Sequence, residues 1–429
     1  MNGTRRVGIL AGGGELPREI ADELARAGSL VAVVAIEGEA DADFGAHPVT
    51  RVNWGQIGAM IRTLKQARTT ELVIVGRVHR PEIGILKPDL GFFRYLPQIV
   101  KIVASGGDDS VLRRVVRFFE QHGITIIGPG DAAPNLVITA GPIGKAASSA
   151  RDQADIRKGF ELVRALGAYD IGQSVIVSED RIEAIEGAEG TDRMIARRAA
   201  RRAAGAGRAG VLVKRSKPGQ DLRVDMPAIG PATVKGALEA GLDGIAVEAG
   251  KVLVAERALT LERADAAGVF VEGVEDRRAE PPPRRFNPRN VVVTFRCLGR
   301  IAPEKHATHD AVKGLAVLDA LAPFNVGRAA VVVRNHVLSV EVDEGSEATI
   351  TRAAGLRQWA SLTRRRRGVA ALREASELTR PVIAAVAKSG YAGLAIARET
   401  GAVPAEIVAE AEASGLFIVI RDHQDGAAS

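Results

Sequence analysis

The chain of 429 residues holds a single cysteine, Cys297. That excludes a disulfide within the chain and a cysteine-based zinc cluster, and it fits a reducing compartment, so a cytoplasmic location is expected. No apolar run approaches the length of a bilayer span, and the segment from Met1 to Arg6 leads into a strand-like stretch without a secretory core. Aromatic residues make up only 4% of the chain, too few for the base-stacking surface of a single-strand nucleic-acid binder. Nucleic acid is therefore not an expected partner, although the net charge of +6 favours anionic ligands. Arginine gathers at 197, 198, 201 and 202, at 277 and 278, at 284 and 285, and from 364 to 367; solvated helix faces are the commonest reason for such clusters. The seven histidines are scattered, with metal-like spacing only at His306 and His309.

What is present begins with a strand, RRVGILA at 5–11, then Gly12, Gly13 and Gly14, a helical pattern over 16–27 and a second strand at 30–36. With ELVIVG at 71–76 and ITIIG at 124–128, this predicts an open, doubly wound parallel sheet. Amides of the glycine turn would point at a phosphate or nucleoside edge. A nicotinamide cofactor is disfavoured because Pro17 replaces the third glycine of that fingerprint, although Glu37 sits where a ribose-binding acid would. The fold class expected is α/β: a Rossmann-like N-terminal domain over 1–139, a second α/β domain over 140–276, a Pro- and Arg-rich linker over 277–290, and a divergent copy of the second domain over 291–429. The copy shows in an ungapped match of residues 158–192 to 313–347, with Lys-Gly, Ala-Leu, Gly and Glu-Gly at unchanged spacing.

The densest group of site-like residues is KPGQDLRVDMPAIG at 217–230, which lies between a strand at 210–214 and a helix from 231. Lys217 and Arg223 suit phosphate oxygens, Gln220 can orient substrate or water, and an acid such as Asp225 can hold a divalent metal or take a proton from water. A loop that only closes the domain has the same composition. The copy discriminates between these readings. It runs through a shorter REASELTRPVIAA with no counterpart of Lys217, Gln220 or Asp225, while Glu189 and Asp192 persist as Glu344 and Glu347. Loss of a polar loop from duplicated packing points to chemistry in the loop that remains.

The blocks LAGGGELP at 10–17, GGDDSVLRR at 106–114, GPIGKA at 141–146, DIGQSVIV at 170–177, EGTDRM at 189–194 and KPGQDLRVDMPAIG at 217–230 occur in order. Over about 5–276 the chain thereby resembles the UDP-2,3-diacylglucosamine pyrophosphatases of the LpxI type. The resemblance implies hydrolysis of that lipid-linked nucleotide sugar to UMP and 2,3-diacylglucosamine 1-phosphate in lipid A biosynthesis, with Mg2+ or another divalent metal. It places the essential acid of the RVDMP motif at Asp225. Expected substrate contacts are Gly12, Gly13, Gly14, Lys145, Thr191, Lys217, Gln220 and Arg223, and expected metal ligands are Asp225, Asp192 and Glu189. Asp109 could support the site or cap a helix. The aromatic segment with Phe92, Phe93, Tyr95 and Leu96 could touch acyl chains, and peripheral contact with the inner membrane is expected to be helped by Arg364 to Arg367. The chain is expected to be a monomer or a homodimer. A protein that binds a nucleotide or lipid precursor without catalysis is the alternative.

Overall fold

The computed structural model describes residues 5–79, 86–103, 108–203, 205, 207–276, 285–356 and 366–422. The N-terminal elements are β1 (Val7–Ala11), α1 (Leu16–Arg26), β2 (Leu30–Ile36), β3 (Val49–Val52), α2 (Ile57–Gln66), β4 (Glu71–Val75), α3 (Leu90–Val103), α4 (Asp108–Glu120), β5 (Thr125–Ile126) and α5 (Pro129–Ala132). The five strands form a parallel sheet in the order β3-β2-β1-β4-β5. β1 is buried along its whole length, as a central parallel strand with helices on both faces must be. One face packs Val7, Ile9, Ala11, Val33 and Val73 against Ile20 and Leu24 of α1. The other packs Leu10, Val34, Ile36 and Leu72 against Met60, Ile61 and Leu64 of α2 and Val116 and Phe119 of α4. Pro17 occupies the first turn of α1, where its missing N–H costs nothing.

Several elements escaped the sequence reading, β3 and α3 among them. The short β3 pairs only with β2 and has exposed Thr50 and Arg51, so it lacks the apolar run of a central strand. The segment 90–103, read only as an aromatic cluster, is helix α3 and carries Pro97 inside it.

The chain continues through β6 (Gly141–Pro142), α6 (Ala150–Gly167), β7 (Ser174–Ser178), β8 (Arg181–Ile185), α7 (Thr191–Ala200), β9 (Val211–Lys214), β10 (Ala228–Ile229), α8 (Pro231–Glu239), β11 (Gly244–Glu248), β12 (Leu253–Val254), α9 (Arg257–Ala267) and β13 (Phe270–Val274). It ends with β14 (Phe295–Leu298), α10 (Lys305–Leu321), β15 (Ala329–Val333), β16 (His336–Val340), α11 (Ser346–Gly355), β17 (Val369–Glu374), α12 (Arg380–Lys388), β18 (Gly393–Arg398), α13 (Ala405–Ala413) and β19 (Phe417–Arg421). Two six-stranded sheets result, in the orders β6-β13-β11-β9-β7-β8 and β14-β19-β18-β17-β15-β16. The pairs β7–β8, β7–β9 and β6–β13 are antiparallel, as are β15–β16, β15–β17 and β14–β19. Of the apolar run KVLVAE at 251–256 only the two-residue β12 is strand, and it pairs with β10.

The likeness extends to single hydrogen bonds 155 residues apart. Glu179 and Asp180 have positive φ and make the tight turn between β7 and β8, and both turn amides donate to the Asp155 carboxylate at 3.0 and 2.8 Å. Arg334 and Asn335 make the same turn between β15 and β16, donating to Asp310 at 3.0 and 2.6 Å. A left-handed pair without glycine is costly, and a carboxylate accepting both amides offsets that cost. The register shift in the first hairpin falls between Ile176 and Val177, and in the second between Val331 and Val332.

The chain divides into two compact units: residues 1–147, 219–235 and 247–277, and residues 148–218, 236–246 and 278–429.

Candidate active site

In the first unit the loop that carries Asp225 is pinned by its neighbours. Val224 packs on the sheet face lined by α2 and α4, while Met226 packs on the opposite face with α1. These two flanking residues grip opposite faces and leave Asp225 between them. Downstream, Leu253 donates to the Pro227 carbonyl at 2.9 Å, and β10 pairs with β12. Upstream, Val224 and Asp225 both donate backbone N–H groups to the Asp221 carbonyl at 3.1 Å, closing one helical turn. A side chain at Gly128, just beyond β5, would meet the Leu222 carbonyl at 3.4 Å. The loop thus lies against the connection that leaves the carboxyl end of a parallel strand, where open α/β sheets bind their ligands.

Gln220 Nε2 donates to Asp225 Oδ2 at 2.6 Å, which fixes the carboxylate's orientation. Arg223 makes a two-pronged bond to Asp221, Nε to Oδ1 at 2.9 Å and Nη2 to Oδ2 at 2.7 Å, and reaches Glu120 at 3.4 Å. This fork holds the Asp221 carboxyl below its ordinary range and raises the Arg223 guanidinium above its own. Arg223 therefore enters any phosphate contact already paired. Lys145 is exposed, and its backbone amide donates to Asp265 Oδ1 at 2.6 Å.

The glycine turn departs from the expectation of a phosphate cradle. Gly12 N–H donates to the Val75 carbonyl at 2.9 Å, Gly13 N–H to the Arg77 carbonyl at 2.7 Å, and Gly14 N–H to Asp41 Oδ1 at 2.6 Å. The Gly14 amide lowers the Asp41 pKa, so a protein carboxylate stands where an anion was expected. The glycines serve close packing instead: a Cβ at Gly12 would come within 2.5 Å of the Arg77 carbonyl oxygen.

In the second unit Thr191 opens α7 after Gly190, whose φ of 84° is a conformation that favours glycine. The Thr191 hydroxyl lies 3.1 Å from each of Lys214 Nζ, Ser174 Oγ and Glu186 Oε2. It can accept from the first two and donate to the third, which uses its whole hydrogen-bonding capacity. Ser174, Glu186 and Lys214 are buried. Sequence reasoning found Thr191 and missed the other three, because Lys214 reads as a strand end and Ser174 as a strand start. The copy gives the signal that could have found them: Ala329 and Leu372 take the β-ladder positions of Ser174 and Lys214.

Lys217 Nζ donates to Asp170 Oδ1 at 2.9 Å. Glu189 is held by Arg197 Nη2 at 2.9 Å and by Arg352 Nη1, 3.1 Å from each carboxylate oxygen. A carboxylate shared by two guanidinium groups does not fit the metal-ligand role expected of Glu189. Asp192 is exposed in the first turn of α7, where an acid complements the helix dipole. Asp109 lies in the first turn of α4. Among the described residues no group of three His, Cys, Asp or Glu side chains could hold a metal ion.

The basic clusters are partly consumed by the fold. Arg198 pairs with Glu183 at 2.8 Å, Arg201 pairs with Asp343 at 3.0 Å, and Arg366 donates to the carbonyls of Ala387 and Tyr391. Arg364, Arg365, Arg277, Arg278 and Arg284 lie outside the described residues. No described helix is long and apolar enough to cross a membrane.

Comparison with known proteins gives these features a family. The model described as "LpxI N-terminal domain" matches residues 6–136, and the one described as "LpxI C-terminal domain" matches twice, at 139–272 and 295–419. The chain is similar to the UDP-2,3-diacylglucosamine pyrophosphatase LpxI of Caulobacter vibrioides, 38% identical over 275 residues that cover 63% of this chain and 98% of that protein. With both domain models matched in order and the second matched again, the chain belongs to the LpxI family.

Proposed function

We propose that the chain hydrolyses the diphosphate of UDP-2,3-diacylglucosamine to UMP and 2,3-diacylglucosamine 1-phosphate, with Asp225 as the essential acid. The observation that carries this reading is the Gln220–Asp225 pair on a loop clamped to both faces of the parallel sheet. The second copy has no counterpart of that loop. The relative at 38% identity is named for this substrate, and it aligns over the part of the chain that contains the loop.

In this reaction a water oxygen bonds to the phosphorus nearer the sugar, and the bond from that phosphorus to the bridging oxygen breaks, releasing UMP. With Gln220 engaging Oδ2, the other Asp225 oxygen takes the water's proton as the new bond forms. Lys217 and Lys145 supply positive charge for the phosphate oxygens. Thr191, fixed between Lys214 and Glu186, orders the N-terminus of α7, where backbone N–H groups favour an anion. Magnesium typically uses one or two carboxylates together with substrate phosphates, so Asp225 suits it better than Glu189, whose carboxylate is already shared by Arg197 and Arg352. A bound Mg2+ would supply neutralisation of charge on the diphosphate.

For the acyl chains and the membrane surface we assign helix α3, on which Leu90, Phe93 and Leu96 are 88%, 60% and 40% exposed. Three large apolar side chains at intervals of three on one helix face form a ridge suited to insertion among lipids. Phe93→Asp should weaken both co-sedimentation with anionic vesicles and binding of the diacylated substrate.

The test of the activity is UMP release from UDP-2,3-diacylglucosamine by the full chain, with and without Mg2+, beside Asp225→Asn. Release that is lost in a folded variant still able to bind substrate supports the assignment. Tight binding without release by the unaltered chain would instead favour a protein that only recognises the precursor.

A further inference from the structure

Residues 148–218 and 278–429 lie in one compact unit, so the two copies can be compared where they touch. They meet through equivalent elements. Helix α6 packs on α10, and α7 approaches the loop before α11. Glu189 pairs with Arg197 of its own copy and with Arg352 of the other. Glu344, 155 residues beyond Glu189, pairs with Arg352 of its own copy and lies 3.9 Å from Arg197. Arg352 is itself 155 residues beyond Arg197. A contact between one residue and another that is answered by the reciprocal contact is the mark of an isologous, two-fold interface.

The four charges balance, and the side chains of Glu189 and Glu344 are only 4% and 10% exposed, so the cluster is shielded from water. Around it Ala188 N–H donates to the Leu338 carbonyl at 2.9 Å, and Arg201 pairs with Asp343 at 3.0 Å. The segment before β14 is fastened to the first copy as well. Phe286 N–H donates to the Ala168 carbonyl at 2.8 Å, the Phe286 ring lies 5.2 Å from Tyr169, and Arg285 is 3.8 Å from Asp170.

We propose that residues 295–419 act as a built-in second subunit, occupying in cis the two-fold contact face formed by α6, α7 and Gly187 to Glu189. The surface is self-complementary, and the copy that fits it is supplied by the same chain. The full chain is therefore a monomer in solution, carrying one Asp225 loop for each pair of equivalent domains. This inference is independent of the hydrolytic reading, since it rests on packing alone.

The test uses the full chain. Sedimentation over a wide range of concentration should give the mass of one chain throughout. Urea unfolding of Glu189→Gln, Arg352→Gln and the double variant, all close in shape to the original residues, should show coupling. The double variant's unfolding constant should change about tenfold less than the product of the two single changes, as contacting residues do. A concentration-dependent dimer, or single effects that simply multiply, overturns the proposal.

Discussion

Replacing Thr191 with valine removes one hydroxyl and retains the side chain's shape. The hydroxyl is the meeting point of Lys214, Ser174 and Glu186, each 3.1 Å away. Two of those bonds involve a buried charge, and hydrogen bonds to charged groups are each worth about 1.5–3 kcal/mol. Because Lys214 retains other interactions, the expected loss is about 2–4 kcal/mol. Ser346 is the position-matched control in the second copy, where Ala329 and Leu372 replace Ser174 and Lys214. Ser346→Ala should cost under about 1 kcal/mol, the range of an ordinary surface change. The network is local, so the assay is hydrogen exchange by mass spectrometry on peptides covering β7 and α7. Thr191→Val should accelerate exchange there, and Ser346→Ala should leave β15 and α11 nearly unchanged. Equal effects at the two sites, or no effect at Thr191, would refute the view that this network is a specialised feature of the first copy.

Three further outcomes can be measured. Gln220→Glu removes the amide donor 2.6 Å from Asp225 Oδ2, so UMP release should fall in a chain that still folds, and unchanged release would argue against Gln220 as the group that orients Asp225. Burial raises the Glu377 carboxyl from 4.5 to about 7. The folded state thus prefers the protonated form, so its contribution to stability is full below pH 4.5 and is lost as pH rises to about 7; Glu377→Gln should narrow the gap between melting temperatures at about pH 5 and about pH 8. Arg223→Ala, which breaks only a half-exposed pair with Asp221 and Glu120, should change stability by less than about 1 kcal/mol, so any large loss of activity would report a phosphate role.

How far the site could be read from sequence depended on whether its residues were neighbours in the chain. Gln220 and Asp225 sit five positions apart in one polar loop between a strand and a helix, and the loop's absence from the copy marked it. The Lys214–Thr191–Ser174–Glu186 network could not be read in this way, because its members come from β9, α7, β7 and the residue after β8. The glycine turn misled for a related reason. Local pattern says that amides lie at a helix start, but not that the Asp41 side chain and the Val75 and Arg77 carbonyls already accept from them.

The sequence by itself determined the α/β class, the central strands of the parallel sheet and the 155-residue correspondence between the copies. These follow from apolar periodicity, glycine placement and repeated spacing, which are local or additive along the chain. Only the tertiary structure decided which charges are spent on the fold. Glu189, expected as a metal ligand, is neutralised by Arg197 and by Arg352, a partner 163 residues away. The structure also decided why Asp225 stays in place, since Val224 and Met226 grip opposite faces of a sheet made from residues far earlier in the chain. Long-range ion pairing and packing depend on distances that a one-dimensional pattern does not carry.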